Sequence, residues 1–111
     1  MNNQSRANKE AWSYRAYEFW TNNVGLPNEV AKDMMRHPET HLRRHIEFLG
    51  DVNGKKIANL LGSCGKKAVP LAILGADVTI VDISEDNKKY AMEVAKEAGV
   101  NLTYIVSDFW N

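Results

Sequence analysis

Apolar residues recur at two different periods along the chain, and the change of period divides it. Over the first fifty or so residues the spacing is helical. Ala11, Trp12, Ala16, Phe19, Trp20 and Val24 share one face, with Arg15, Glu18 and Asn22 between them, which predicts an amphipathic helix over about 7–23. Gly25-Leu26-Pro27 breaks it, and Asn28 is the expected N-cap of a second helix ending near Arg36. Pro38 bars continuation and opens a third helix to Leu49, with Leu42, Ile46 and Leu49 inward and Gly50 as its stop.

Beyond the Asn53-Gly54 turn the pattern changes to short apolar runs separated by helices. Ile57–Leu61 reads as a strand. A helix follows from Lys66 or Lys67, because Pro70 is tolerated only in a first turn, and Gly75 closes it. Val78–Val81 is a second strand. Ser84 then caps a long helix carrying Tyr90, Ala91, Val94, Ala95 and Ala98 on one face, Gly99 ends it, and Leu102–Val106 is the third strand. Strands alternating with helices predict an α/β fold with a parallel sheet, and right-handed crossovers give the spatial order 3-2-1 with both connecting helices on one face. The other face then has no helix of the sheet region to cover it, and strand one is an edge. Residues 1–54 are thus expected to form a helical cap, and 55–111 the first half of a larger sheet domain. That sheet is completed either by a longer polypeptide or by a second copy, which makes homo-oligomerisation an expectation.

Composition narrows the partners. Lys and Arg number 14 and Asp and Glu also 14, so net charge offers no drive toward nucleic acid or a membrane surface. One cysteine, Cys64, excludes an internal disulfide and fits a reducing compartment. The polar start MNNQSRANKE and the lack of a long apolar run make a cytoplasmic protein the expectation.

Candidate chemistry gathers at the carboxyl ends of the strands. Gly62, Ser63, Cys64 and Gly65 form a strand-to-helix loop in which small side chains allow close approach of a ligand to backbone N–H groups. Asp82 ends strand two, where an acid can accept hydrogen bonds from a ribose diol, and Asp108 follows strand three on the same rim. Ile83 and Phe109 beside these acids bound an apolar slot suited to a purine. Local alternatives exist for each: strand-end Asp residues often cap the next helix, and Lys66 and Lys67 read equally as phosphate contacts or surface residues. Cys64 has no histidine placed to activate it. His41 and His45, four apart, have metal-ligand spacing, but a solvated rim with Arg43 and Arg44 is the simpler reading. The aromatics Trp12, Tyr14, Tyr17 and Trp20 serve either as core or as a pocket wall.

The loop Asn59-Leu60-Leu61-Gly62-Ser63-Cys64-Gly65, the run LAILGADVTIVDIS (71–84) and Ser107-Asp108-Phe109 together resemble the class I S-adenosylmethionine-dependent methyltransferases over about Lys55 to Phe109. The resemblance implies a partial Rossmann-like fold, the front half of a doubly wound sheet, that binds S-adenosylmethionine. It places the Gly62–Gly65 loop against the methionine moiety, Asp82 on the ribose hydroxyls, Ile83 and Phe109 around adenine, and Asp108 at its amino group. Asn59 stands where the family commonly has an acid, and only the last of three usual glycines aligns, as Gly65. The methyl acceptor is expected to be a small molecule bound by residues beyond strand three, leaving these 111 residues inactive alone. Two other readings remain open: part of a dinucleotide-binding oxidoreductase, against which stands the missing G-x-G-x-x-G spacing, and a non-enzymatic self-associating module.

Overall fold

In the computed structural model, residues 16–42, 47, 49–60 and 65–107 are described. The first helix, α1, covers residues 16–23 of that range. It is followed by α2 (Pro27–Arg36), α3 (Pro38–Leu42), β1 (Lys56–Leu60), α4 (Ala68–Ile73), β2 (Asp77–Asp82), α5 (Glu85–Glu97) and β3 (Thr103–Val106). The strands are parallel with β2 in the middle, the expected 3-2-1 order.

Register assigns every strand residue to a face. Ile57 and Asn59 lie beside Val78 and Ile80, and Ile80 and Asp82 beside Tyr104 and Val106. This is the face the helices cover: Val78, Ile80, Asp82 and Tyr104 are buried in it. Along β2 burial alternates residue by residue, as a half-covered sheet requires. The opposite face carries Lys56, Ala58, Asp77 and Thr103, all exposed, and Ile105, which keeps 47% of its surface in solvent. Among the described residues no helix lies on that face, and β1 pairs only with β2.

The helical region and the sheet region share one core. Val30, Ala31 and Met34 of α2 and Leu42 of α3 join Ala68, Val69 and Leu71 of α4, the buried strand residues, and Tyr90, Ala91, Val94 and Ala95 of α5 in a single apolar cluster. α1 is held onto α5 by polar groups at the tips of its aromatics. The Tyr17 ring meets Tyr90 edge-on at 5.9 Å, and its hydroxyl donates to Glu93. Tyr90 in turn donates to the Gly25 carbonyl at 2.6 Å, fixing the turn between α1 and α2.

Three local expectations need adjustment. Asn28 does not cap α2; the helix begins at Pro27 after an extended Leu26, because proline's fixed φ is already helical and its missing N–H costs nothing in a first turn. The strands begin or end a residue away from the apolar runs, since backbone pairing admits Lys56, Asp77 and Asp82 as well as their apolar neighbours. The third helix is described from Pro38 to Leu42, while 43–46 lie outside the described residues. Ser84, in contrast, caps α5 as expected, its Oγ accepting from Asn87 N–H at 3.1 Å.

Candidate functional site

The carboxyl ends of three parallel strands lie along one rim of the sheet, and the loop after β1 enters α4 there. Gly65 ends that loop. Its φ of +82° is a conformation that side-chain-bearing residues rarely adopt, and it is packed so closely that an added Cβ would lie 3.0 Å from Ala91 Cβ on α5 and 3.3 Å from Val69 Cγ2. Glycine at this position therefore lets the backbone of residue 65 lie against α5, the helix that follows Asp82.

Asp82 ends β2 with its side chain on the covered face, only 4% exposed. Its carboxylate is held from three sides. Oδ1 accepts from Ile83 N–H at 2.7 Å. Oδ2 accepts from Asn87 Nδ2 at 3.1 Å and from the Tyr104 hydroxyl at 3.3 Å. Burying an ionised carboxylate is costly unless such donors surround it, so the rim devotes one residue from the β2–α5 connection, one from α5 and one from β3 to this single acid. The helix-capping role is taken by Ser84 instead, which leaves Asp82 to these contacts. Ile83 is half-buried next to it, and Asn59 sits half-buried on β1 in register with Ile80, on the same face as Asp82.

Gly62, Ser63, Cys64, Asp108 and Phe109 lie outside the described residues, as do His45, Arg43, Arg44, Trp12 and Tyr14. His41 is described, and its Nε2 meets Asp33 Oδ2 at 2.7 Å across α2 and α3. Among the described residues no group of three or more His, Cys, Asp or Glu side chains is placed to hold a metal. No described helix is long and apolar enough to cross a membrane.

Sequence reading missed the side chains that hold Asp82. Tyr104 and Asn87 carry no motif that singles them out in the sequence. The available signal was the spacing: an Asn at the third helical position after a Ser cap, five residues past a strand-end acid. Trp20 was noted only as part of an aromatic stripe, yet its indole Nε1–H donates to Asn87 Oδ1 at 2.7 Å. A concavity of about 460 Å³ lies between the start of α2 and the carboxyl end of α5, lined by Leu26, Pro27, Asn28, Glu93, Lys96 and Glu97, away from the rim.

No protein-family model matches the chain, and no curated protein does. Solved structures do. Magnesium protoporphyrin IX methyltransferase (ChlM) from Synechocystis PCC 6803 with bound SAH superposes over 96% of this chain at a TM-score of 0.67 and 18% identity. The same enzyme with bound SAM matches over 97% at 0.64 and 16% identity. Phosphoethanolamine N-methyltransferase 1 from Haemonchus contortus, in complex with phosphoethanolamine and S-adenosylhomocysteine, matches over 97% at 0.54 and 15% identity. The chain spans 52% and 56% of the two ChlM chains and 22% of the Haemonchus one. A three-stranded parallel sheet in the order 3-2-1, with a closely packed glycine at residue 65 and an acid ending its second strand, thus has the class I S-adenosylmethionine-dependent methyltransferase fold, over about half the length of the ChlM chain.

Proposed function

We propose that this chain is the donor-binding portion of an S-adenosylmethionine-dependent methyltransferase. The observation that carries the reading is Asp82: a buried strand-end carboxylate, oriented by three hydrogen bonds, on the rim where open α/β sheets bind ligands. Structures of the same fold hold SAM or SAH, which supports this donor over other nucleosides. In this reading Asp82 accepts from the ribose hydroxyls, and the 3.3 Å Tyr104 contact, longer than those from Ile83 and Asn87, gives way most readily. Gly62, Ser63, Cys64 and Gly65 lie against the methionine moiety, and the Asn59 carbonyl oxygen accepts from its ammonium. Ile83 and Phe109 enclose adenine, and Asp108 accepts from its exocyclic amine.

Methyl transfer from a sulfonium is an in-line displacement in which the protein chiefly positions the reactants and excludes water. On this account the chain supplies the donor half of that positioning, and a complementary part of the fold supplies the acceptor, a small molecule. Without that complement the 111 residues bind donor and turn nothing over. The sheet face around Ile105 is where we place the complement, whether from a longer polypeptide or from a second copy in a cytoplasmic homo-oligomer. Light scattering tests the latter, and a monomer at all concentrations excludes it.

Calorimetry with S-adenosylmethionine tests the donor site. Saturable binding that is lost in Asp82→Ala, with no binding of NAD, supports it. No heat at millimolar ligand removes it, and preference for NAD favours a dinucleotide site instead.

A further inference from the structure

The hydrogen bonds behind Asp82 continue into the protein and end on the first helix. Trp20 Nε1–H donates to Asn87 Oδ1 at 2.7 Å, and Asn87 Nδ2 donates to Asp82 Oδ2 at 3.1 Å. The two ends of this chain of bonds fix its direction. An indole can only donate and an ionised carboxylate can only accept, so the amide between them is satisfied in one orientation alone. Turned over, it would set an amide N–H against the indole N–H and a carbonyl oxygen against the carboxylate. Asn87 is 1% exposed, so neither mismatch would be relieved by water.

These side-chain bonds are not needed to cap α5, because the Ser84 hydroxyl already takes the Asn87 backbone N–H. They join residues 67 positions apart in sequence, an α1 residue and an α5 residue, and lead to the buried carboxylate of Asp82.

We infer that Asn87 is a positioning residue for the donor site, and that through it Trp20 couples helix α1 to nucleoside binding. The inference rests on the donor-site reading above. With the indole in place, Asn87 is held facing Asp82, and the carboxylate keeps its Oδ2 edge in a fixed plane. Without the indole, Asn87 Oδ1 loses its donor and the amide is free to turn. Donor binding and seating of α1 therefore favour one another, by the same factor in each direction.

The test uses the 111-residue chain with S-adenosylhomocysteine as the probe. In the unaltered chain, saturating ligand is expected to move the Trp20 indole N–H resonance, assigned through its nuclear Overhauser contacts to neighbouring protons of the folded chain. Trp20→Phe itself is expected to bind about tenfold more weakly, the effect of one hydrogen bond to a buried polar network. Asn87→Asp sets a second carboxylate against Asp82, so its affinity should fall as pH rises from 5 to 7, where the unaltered chain shows no such slope. A purely structural role for Asn87 would lower stability without giving binding this pH dependence. If the unaltered chain binds no S-adenosylhomocysteine, the donor-site reading fails and this coupling with it. If it binds while the Trp20 resonance stays fixed, or while both variants bind as the unaltered chain does at every pH, the coupling alone is overturned. The resonance experiment needs no variant to bind, so it decides the matter even where a substitution prevents folding.

Discussion

Gly65→Ala probes the contact that brings the first loop to the helix after Asp82. Two penalties are expected from the structure. A φ of +82° costs a non-glycine residue about 1–2 kcal/mol. The new methyl would stand 3.0 Å from Ala91 Cβ, roughly half an ångström or more inside the optimal carbon–carbon separation, and crowding of this kind costs about 1–3 kcal/mol. Restriction of the unfolded chain returns about 0.4–1 kcal/mol. The net destabilisation is about 2–3 kcal/mol, or a fall in Tm of roughly 8–12 °C for a chain of this length. Urea denaturation followed by circular dichroism gives the free energy directly, provided the slope m is unchanged.

A double-mutant cycle with Ala91→Gly separates the two penalties. Removing the Ala91 methyl costs about 1 kcal/mol by itself, since glycine is a poor helix former. It also takes away the atom that the new methyl meets at 3.0 Å and leaves the 3.3 Å approach to Val69 Cγ2, so Gly65→Ala in that background should cost about 1–2 kcal/mol, the backbone part with that lesser crowding. Additivity of the two changes within about 0.5 kcal/mol would refute the close approach of loop and helix. So would a neutral Gly65→Ala.

Other expectations follow from single contacts. The Tyr17 hydroxyl donates to Glu93, and that hydrogen bond, aided by burial and the charge of Glu93, pushes its pKa up from 10.0 to about 12. The folded state thus favours the protonated phenol, so this stabilisation is whole below pH 10 and is lost as pH rises from 10 toward 12. Denaturation of the unaltered chain and of Tyr17→Phe across that range should show the difference between them shrinking, and a constant difference would dismiss the contact. Ser84→Ala removes the acceptor of the buried Asn87 N–H and is expected to cost about 1–2 kcal/mol, measurable by the same denaturation, whereas Ser84→Asp should retain most of the cap.

Much of the architecture could be read from spacing because its determinants are local. Pro38, Gly75, Ser84 and Gly99 mark element ends through backbone geometry that each residue imposes on its own neighbourhood. The alternation of β2 follows from a sheet covered on one side. Asn28 is not the cap because the adjacent Pro27 starts the helix and places Asn28 inside its first turn. Asp82 was legible as a strand-end acid, but its surroundings were not. The donors to its carboxylate come from Asn87 and, 22 positions away, Tyr104, and the Trp20 indole that holds Asn87 is farther still. No local pattern predicts the Tyr104 and Trp20 contacts, because they are set by tertiary packing. The exposed face around Ile105 was foreseen from topology alone, since two right-handed crossovers place both helices on one side.

Titration of the isotope-labelled chain with S-adenosylhomocysteine, followed through backbone amide shifts, shows whether a nucleoside donor binds at the strand ends. The largest changes are expected on Gly65, Asp82 and Ile83. Changes confined to the concavity at Leu26, Glu93 and Glu97, or no changes at millimolar ligand, would contradict binding there.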